Sequence, residues 1–212
     1  MEAELYIVAG TSLFLGLHIL TGLHEWRQAA LNRLGVLPYR ILFSLGTLYA
    51  FWNIVQGFDA RPFDALWSVP SWASFAPLAI MPISLFLFFC HFTVRTQDNF
   101  SRQPLGWAIM LWALSHLIAN GESGTTLFFG GFLLYGALAI FLRERKSSLG
   151  DATASHGSSD YDTKLIPFTR WPSDMTGKKF AFLSLMAMLT NFALIHIHEI
   201  LIGVSATSAM RG

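Results

Sequence analysis

Seven histidines are scattered through a chain whose acidic and basic side chains keep almost entirely to the connections between apolar runs. An imidazole can bind a metal while neutral, through Nδ1 or Nε2. An ionisable ring inside hydrocarbon is costly unless it is paired or liganded, so its position marks candidate chemistry. His116 is the most isolated, the only titratable side chain within residues 104–120. Ala113 and Ala119 at i−3 and i+3 leave space beside it, while Trp112 and Asn120 at i−4 and i+4 offer an aromatic wall and an amide partner. His18 lies in Gly16-Leu17-His18-Ile19-Leu20-Thr21-Gly22, where Thr21 and Gly22 leave a face that a flat ligand can approach. Two such rings on different helices can hold a haem iron through neutral imidazole nitrogens. The plain alternative is that each ring bonds a carbonyl of a neighbouring helix.

His196 and His198 stand in reserve as metal ligands. They are two residues apart, about 200° round a regular helix, and cannot chelate one ion together. His196 shares a face with Glu199 at i+3, a carboxylate that could orient its ring. His24, beside Glu25 and Arg27, reads as interfacial, His91 as a core or boundary residue, and His156 as a solvated bystander in a polar segment. Counting ~1.5 Å per residue, the depth of His116 matches that of His196 better than that of His18.

These rings need elements to carry them, and composition sets the class. The 212 residues are 53% hydrophobic and 13% charged, with mean hydropathy +0.48, too apolar for an ordinary soluble domain. The chain reads as an all-α polytopic membrane helix bundle. Runs of roughly 20 apolar residues are needed to cross a bilayer, and six are placed, at residues 5–23, 38–58, 72–94, 104–120, 125–142 and 179–204. The fourth and fifth, joined by Gly121-Glu122-Ser123-Gly124, read as a helical hairpin. With Glu2 and Glu4 and no basic region before it, the first run reads as a retained span rather than a cleaved signal. Twelve Lys and Arg fall beside the first, third and fifth connections, and only Arg61 and Arg211 on the opposite side. The positive-inside rule then puts both termini outward.

Residues 1–146 therefore form a five-helix core, 147–176 a flexible cytoplasmic linker rich in Ser, Asp, Thr and Gly, and 177–212 the final span of the same domain. The lone Cys90 excludes an internal disulfide and a paired-cysteine metal site. No nucleotide-binding glycine pattern is present, no nucleic-acid partner is indicated, and the surrounding partner is membrane lipid.

The order of these pieces resembles the NnrU family, which includes the 15-cis-ζ-carotene isomerases. The resemblance is carried by Gly16-Leu17-His18-Ile19-Leu20, Arg27, Leu34-Gly35, Tyr39-Arg40-Ile41-Leu42-Phe43, Leu66-Trp67, Arg102-Gln103-Pro104 and Phe129-Gly130-Gly131-Phe132. Its most specific run is Leu111-Trp112-Ala113-Leu114-Ser115-His116-Leu117-Ile118-Ala119-Asn120-Gly121-Glu122, and His198-Glu199-Ile200-Leu201-Ile202-Gly203-Val204 is similar to the closing motif. In the isomerase branch haem b is held by one histidine of the first helix and one of the Trp-x-Leu-x-His helix. The resemblance places these at His18 and His116, ahead of the depth-based pairing. It implies cis-trans isomerisation of a lipophilic polyene, with Trp107, Trp112, Phe128 and Phe129 lining an apolar channel. A second implied role, from the name-giving bacterial member, is that of an accessory or sensor protein in denitrification and nitric oxide metabolism. Two positions depart from the pattern: a cysteine of the isomerase branch is Ala113, and the usual Arg-His-Pro has Gln103 at its centre. With no transit-like amino terminus, the expected location is a bacterial inner membrane.

Overall fold

The computed structural model describes residues 2–60, 63–94, 104–154 and 175–202. Its helices are α1 (Glu2–Gly22), α2 (His24–Leu34), α3 (Val36–Asp59), α4 (Phe75–Thr93, entered through a 3-10 turn at Ser71–Ser74), α5 (Pro104–Ala119), α6 (Ser123–Ala154) and α7 (Gly177–Ile202). Among the described residues the sole β feature is an isolated bridge between Ala65 and Glu122. Five segments are long and apolar enough to cross a membrane, those of α1, α3, α4 with its 3-10 turn, α6 and α7. Their outer surfaces are apolar: Leu48 is 64% exposed, Phe92 68%, Leu134 73% and Ile200 83%. Side chains of this kind in such numbers fit hydrocarbon rather than water. The protein is a polytopic helical membrane protein.

Three departures from the sequence expectation have physical causes. The expected fourth span, α5, has 16 residues, about 24 Å at the usual rise. It falls short of the other five because it ends at Ala119, where the loop around Gly121 begins. The first connection contains a helix, α2, built of good helix formers but buried nowhere. An apolar-run search passes over it for that reason. α6 continues over 147–154, the beginning of the segment read as a linker. Residues 155–174, with His156, lie outside the described residues, as do Arg61, Gln103 and 203–212.

The chain divides into two compact units, residues 1–69 with 120–132 and residues 70–119 with 133–212. In the first, α1 and α3 pack closely. A side chain at Gly10 would meet the Ala50 carbonyl at 2.7 Å, and one at Gly57 would meet the Ala3 carbonyl at 2.8 Å. Backbones approach this closely only where small residues permit it. Gly35 joins α2 to α3 at φ 80°, a conformation that other residues rarely adopt. Segments distant in the sequence meet in a loop platform: Leu66 N–H donates to the Gly121 carbonyl (2.7 Å), Ser123 N–H to that of Asp64 (2.9 Å), and Ser123 Oγ to the Glu4 carboxylate. A Cβ at Gly121 would come within 2.3 Å of the Trp67 carbonyl.

In the second unit, Leu87, Cys90, Val94, Ala108, Met175 and Leu183 form the buried cluster. It joins the last turns of α4 to the early turns of α5 and α7, so both run antiparallel to α4. Ser84 Oγ donates to the Ala108 carbonyl at 2.7 Å. α5 and α6 form the expected antiparallel hairpin, with Gly106 against Ile140 and Gly136 against Met110.

Candidate functional site

In α5, the four residues preceding His116 determine its tautomer. His116 Nδ1 lies 2.8 Å from the Trp112 carbonyl, which can only accept a hydrogen bond. The proton of the neutral ring is therefore on Nδ1 and the metal-binding lone pair on Nε2. Ser115 Oγ, on a residue with no exposed surface, donates to the same carbonyl (2.8 Å) and stands 3.2 Å from Nδ1. Trp112 also supplies the expected aromatic neighbour, its ring centroid 5.8 Å from that of His116. Asn120 directly follows Ala119, the last residue of α5.

His18, in the first unit, has the same local chemistry. Its Nδ1 donates to the Phe14 carbonyl at 2.7 Å, again leaving the lone pair on Nε2. The ring stacks on Phe14 with centroids 4.3 Å apart and meets the edge of Phe43 at 5.3 Å. The space that a side chain at Gly22 would enter holds no atom within 4 Å, in keeping with an approachable face beside His18. Both histidines are half-buried. The plain alternative, a carbonyl bond, is thus made by each ring through Nδ1, to its own helix. This is the arrangement by which a second contact orients a ligating imidazole.

The reserve residues separate. His196 is exposed and its Nδ1 donates to the Phe192 carbonyl at 2.8 Å, so that carbonyl, and not Glu199, orients the ring. His198 is half-buried in the second unit. His24 is exposed on α2, and His91 meets the edge of Phe92. Trp107 packs on the buried cluster of the second unit, while Phe128 joins an aromatic group with Phe58, Phe129 and Phe132 in the first. Among the described residues no group of three or more His, Cys, Asp or Glu side chains is gathered to hold a metal.

A family model described as NnrU protein matches residues 6–206. The chain belongs to the NnrU family. Neither the curated proteins nor the solved structures compared with this NnrU chain match it. The match runs from α1 almost to the carboxy terminus, so the histidines of α1, α5 and α7 all fall within the NnrU region. Sequence reasoning had missed Ser115, Phe14 and Phe43. Phe14 was detectable as the i−4 neighbour of His18, whereas Phe43 comes from another helix and Ser115 reads as an ordinary small residue.

Proposed function

We propose that this NnrU-family membrane protein binds haem b, which His116 and His18 would hold, and acts on a lipophilic polyene as a cis-trans isomerase, in a bacterial inner membrane. The observation that carries the reading is the shared arrangement of the two rings. Each is half-buried, unlike the exposed His196 that makes the same contact, and has Nδ1 held by the carbonyl four residues earlier, which puts the lone pair on Nε2. A bare cation would need a larger donor set than the described residues gather, whereas a porphyrin supplies four nitrogens and leaves two axial positions for imidazoles. The residues fit that group.

When bound, haem would supply redox and Lewis-acid chemistry at iron; the protein supplies orientation and surroundings. Trp112 and Ser115 fix the His116 ring, and Phe14 and Phe43 fix that of His18. The apolar surfaces of the spans suit a substrate that partitions into lipid.

Absorption spectra of the purified protein, made with ample haem, test the binding. A Soret band is expected, lost in His116→Ala. In His18→Ala the band is likewise expected to be lost or shifted, because a ligand to the iron is removed. His196→Ala should match the parent. Absence of the band from the parent protein sinks the haem reading. Conversion of a cis-polyene such as ζ-carotene by the reduced protein supports isomerase activity. A loaded protein that leaves the polyene unchanged but binds nitric oxide points instead to the sensor role.

A further inference from the structure

Helix α2 carries charge and exposed apolar surface together, and the reading above uses neither. Around a helix of 3.6 residues per turn, Trp26, Ala30 and Leu34 fall within a stripe about 80° wide, with Arg33 and Arg27 each roughly 20° beyond an edge. His24, Glu25, Gln28 and Asn32 occupy the opposite side. The stripe does not pack into the protein: Trp26 is 66% exposed, Leu34 46%, and Leu23, at the entry to the helix, 40%.

The place of α2 follows from the pair it joins. Gly10 packs against Ala50 and Gly57 against Ala3, so α1 and α3 are antiparallel, and α1 ends where α3 begins. Both are long and apolar enough to span a membrane, which puts α2 at the boundary where the pair leaves hydrocarbon. Exposed apolar side chains continue on either side of it, Leu20 on α1 and Val36, Leu37 and Ile41 on α3, with Arg40 exposed among the last.

A tryptophan this exposed suits the headgroup level of a bilayer, where its apolar ring and its N–H both find partners. Arginines beside such a stripe lay their stems over it and raise their guanidinium groups to the same level. There a guanidinium meets lipid phosphate, and its planar fork matches two phosphate oxygens. Between residues 23 and 40, Arg27, Arg33 and Arg40 face only one acidic residue, Glu25, so the surface is cationic. Charge of this sign complements anionic lipid.

We propose that α2 lies in the headgroup layer and binds anionic phospholipid, with Trp26 as its anchor and Arg27, Arg33 and Arg40 on the phosphate. The inference goes beyond the haem reading and does not depend on it.

The full-length protein tests this with phosphatidylglycerol as the anionic lipid and phosphatidylcholine as the zwitterionic one. Native mass spectrometry of the purified protein titrated with each should show phosphatidylglycerol bound in preference. Arg27→Gln with Arg33→Gln should weaken its binding about 25-fold, roughly fivefold for each basic residue removed. Arg27→Lys with Arg33→Lys should keep most of the preference, which separates charge from folding. Lys178→Gln with Lys179→Gln removes the same charge at the start of α7 and should have much the smaller effect. In bilayers, phosphatidylglycerol brominated high in its acyl chains should quench a part of the tryptophan emission that Trp26→Phe lacks. If that part escapes quenching, protein and not lipid covers the stripe, and the inference is overturned. Equal affinity for the two lipids, an unchanged Gln variant, or an equal loss from the lysine pair overturns it as well. None of these outcomes bears on the Soret band, so the haem reading stands or falls separately.

Discussion

At the scale of single residues, the candidate site depends on which imidazole nitrogen carries the proton. The Phe14 and Trp112 carbonyls assign it to Nδ1 in His18 and His116, and the flanking rings limit how far each imidazole can turn. Phe14 stacks directly on His18, and aromatic pairs contribute about 0.5–1.5 kcal/mol beyond their buried area. Phe14→Ala should therefore weaken haem retention by roughly tenfold, the factor that about 1.4 kcal/mol represents. Haem transfer to an apo-globin acceptor measures this, and retention equal to the parent would remove Phe14 from the site. His18 and His116 were legible as candidates because an ionisable ring stands out in an apolar run. The order of His196 and His198 was not. α7 is apolar on every side, so its sequence gives no indication of which face meets α4. Once that face is known, His196 is an exposed ring and His198 a packed one.

Helices α1 and α3 show what holds the elements together where hydrophobic burial adds little. Lipid is as apolar as leucine, so association depends on close packing and on hydrogen bonds. Gly57 lets Ile7 and the Ala3 carbonyl approach to distances at which a side chain has no space. Gly57→Leu should cost about 1–3 kcal/mol, the usual range for overpacking, measured as a lower unfolding midpoint in mixed micelles. Its stability should fall by more than that of Gly177→Leu, where a Cβ would meet nothing within 4 Å, and equal losses would count against the close approach. The apolar runs made α1, α3, α4, α5 and α7, and the start of α6, readable to within a few residues. α2 escaped because its helix is set by propensity and by the Gly35 terminus, with no buried residue and too few apolar ones for a run. The extension of α6 over 147–154 escaped for the related reason that its composition is that of a linker.

For the molecule as a whole, family membership and the membrane-spanning architecture follow from features spread along nearly its entire length, whereas the site rests on a few contacts within each unit. This difference is why the fold was largely readable in advance and the surroundings of the histidines were not: apolar runs are local, but Phe43 beside His18 depends on how helices distant in sequence are brought together. The loop platform of the first unit is another such product. Residues 64–67 and 121–123 exchange backbone hydrogen bonds although more than fifty residues separate them. In deuterated buffer the amides of Leu66 and Ser123 should therefore exchange slowly, together with that of Trp67, which also donates to the Gly121 carbonyl, and Gly121→Ala should release both connections at once. Release of only one would mean that the two connections open separately. The platform thus gives this membrane protein a reporter of the first unit's tertiary fold, readable by hydrogen-exchange mass spectrometry with no cofactor.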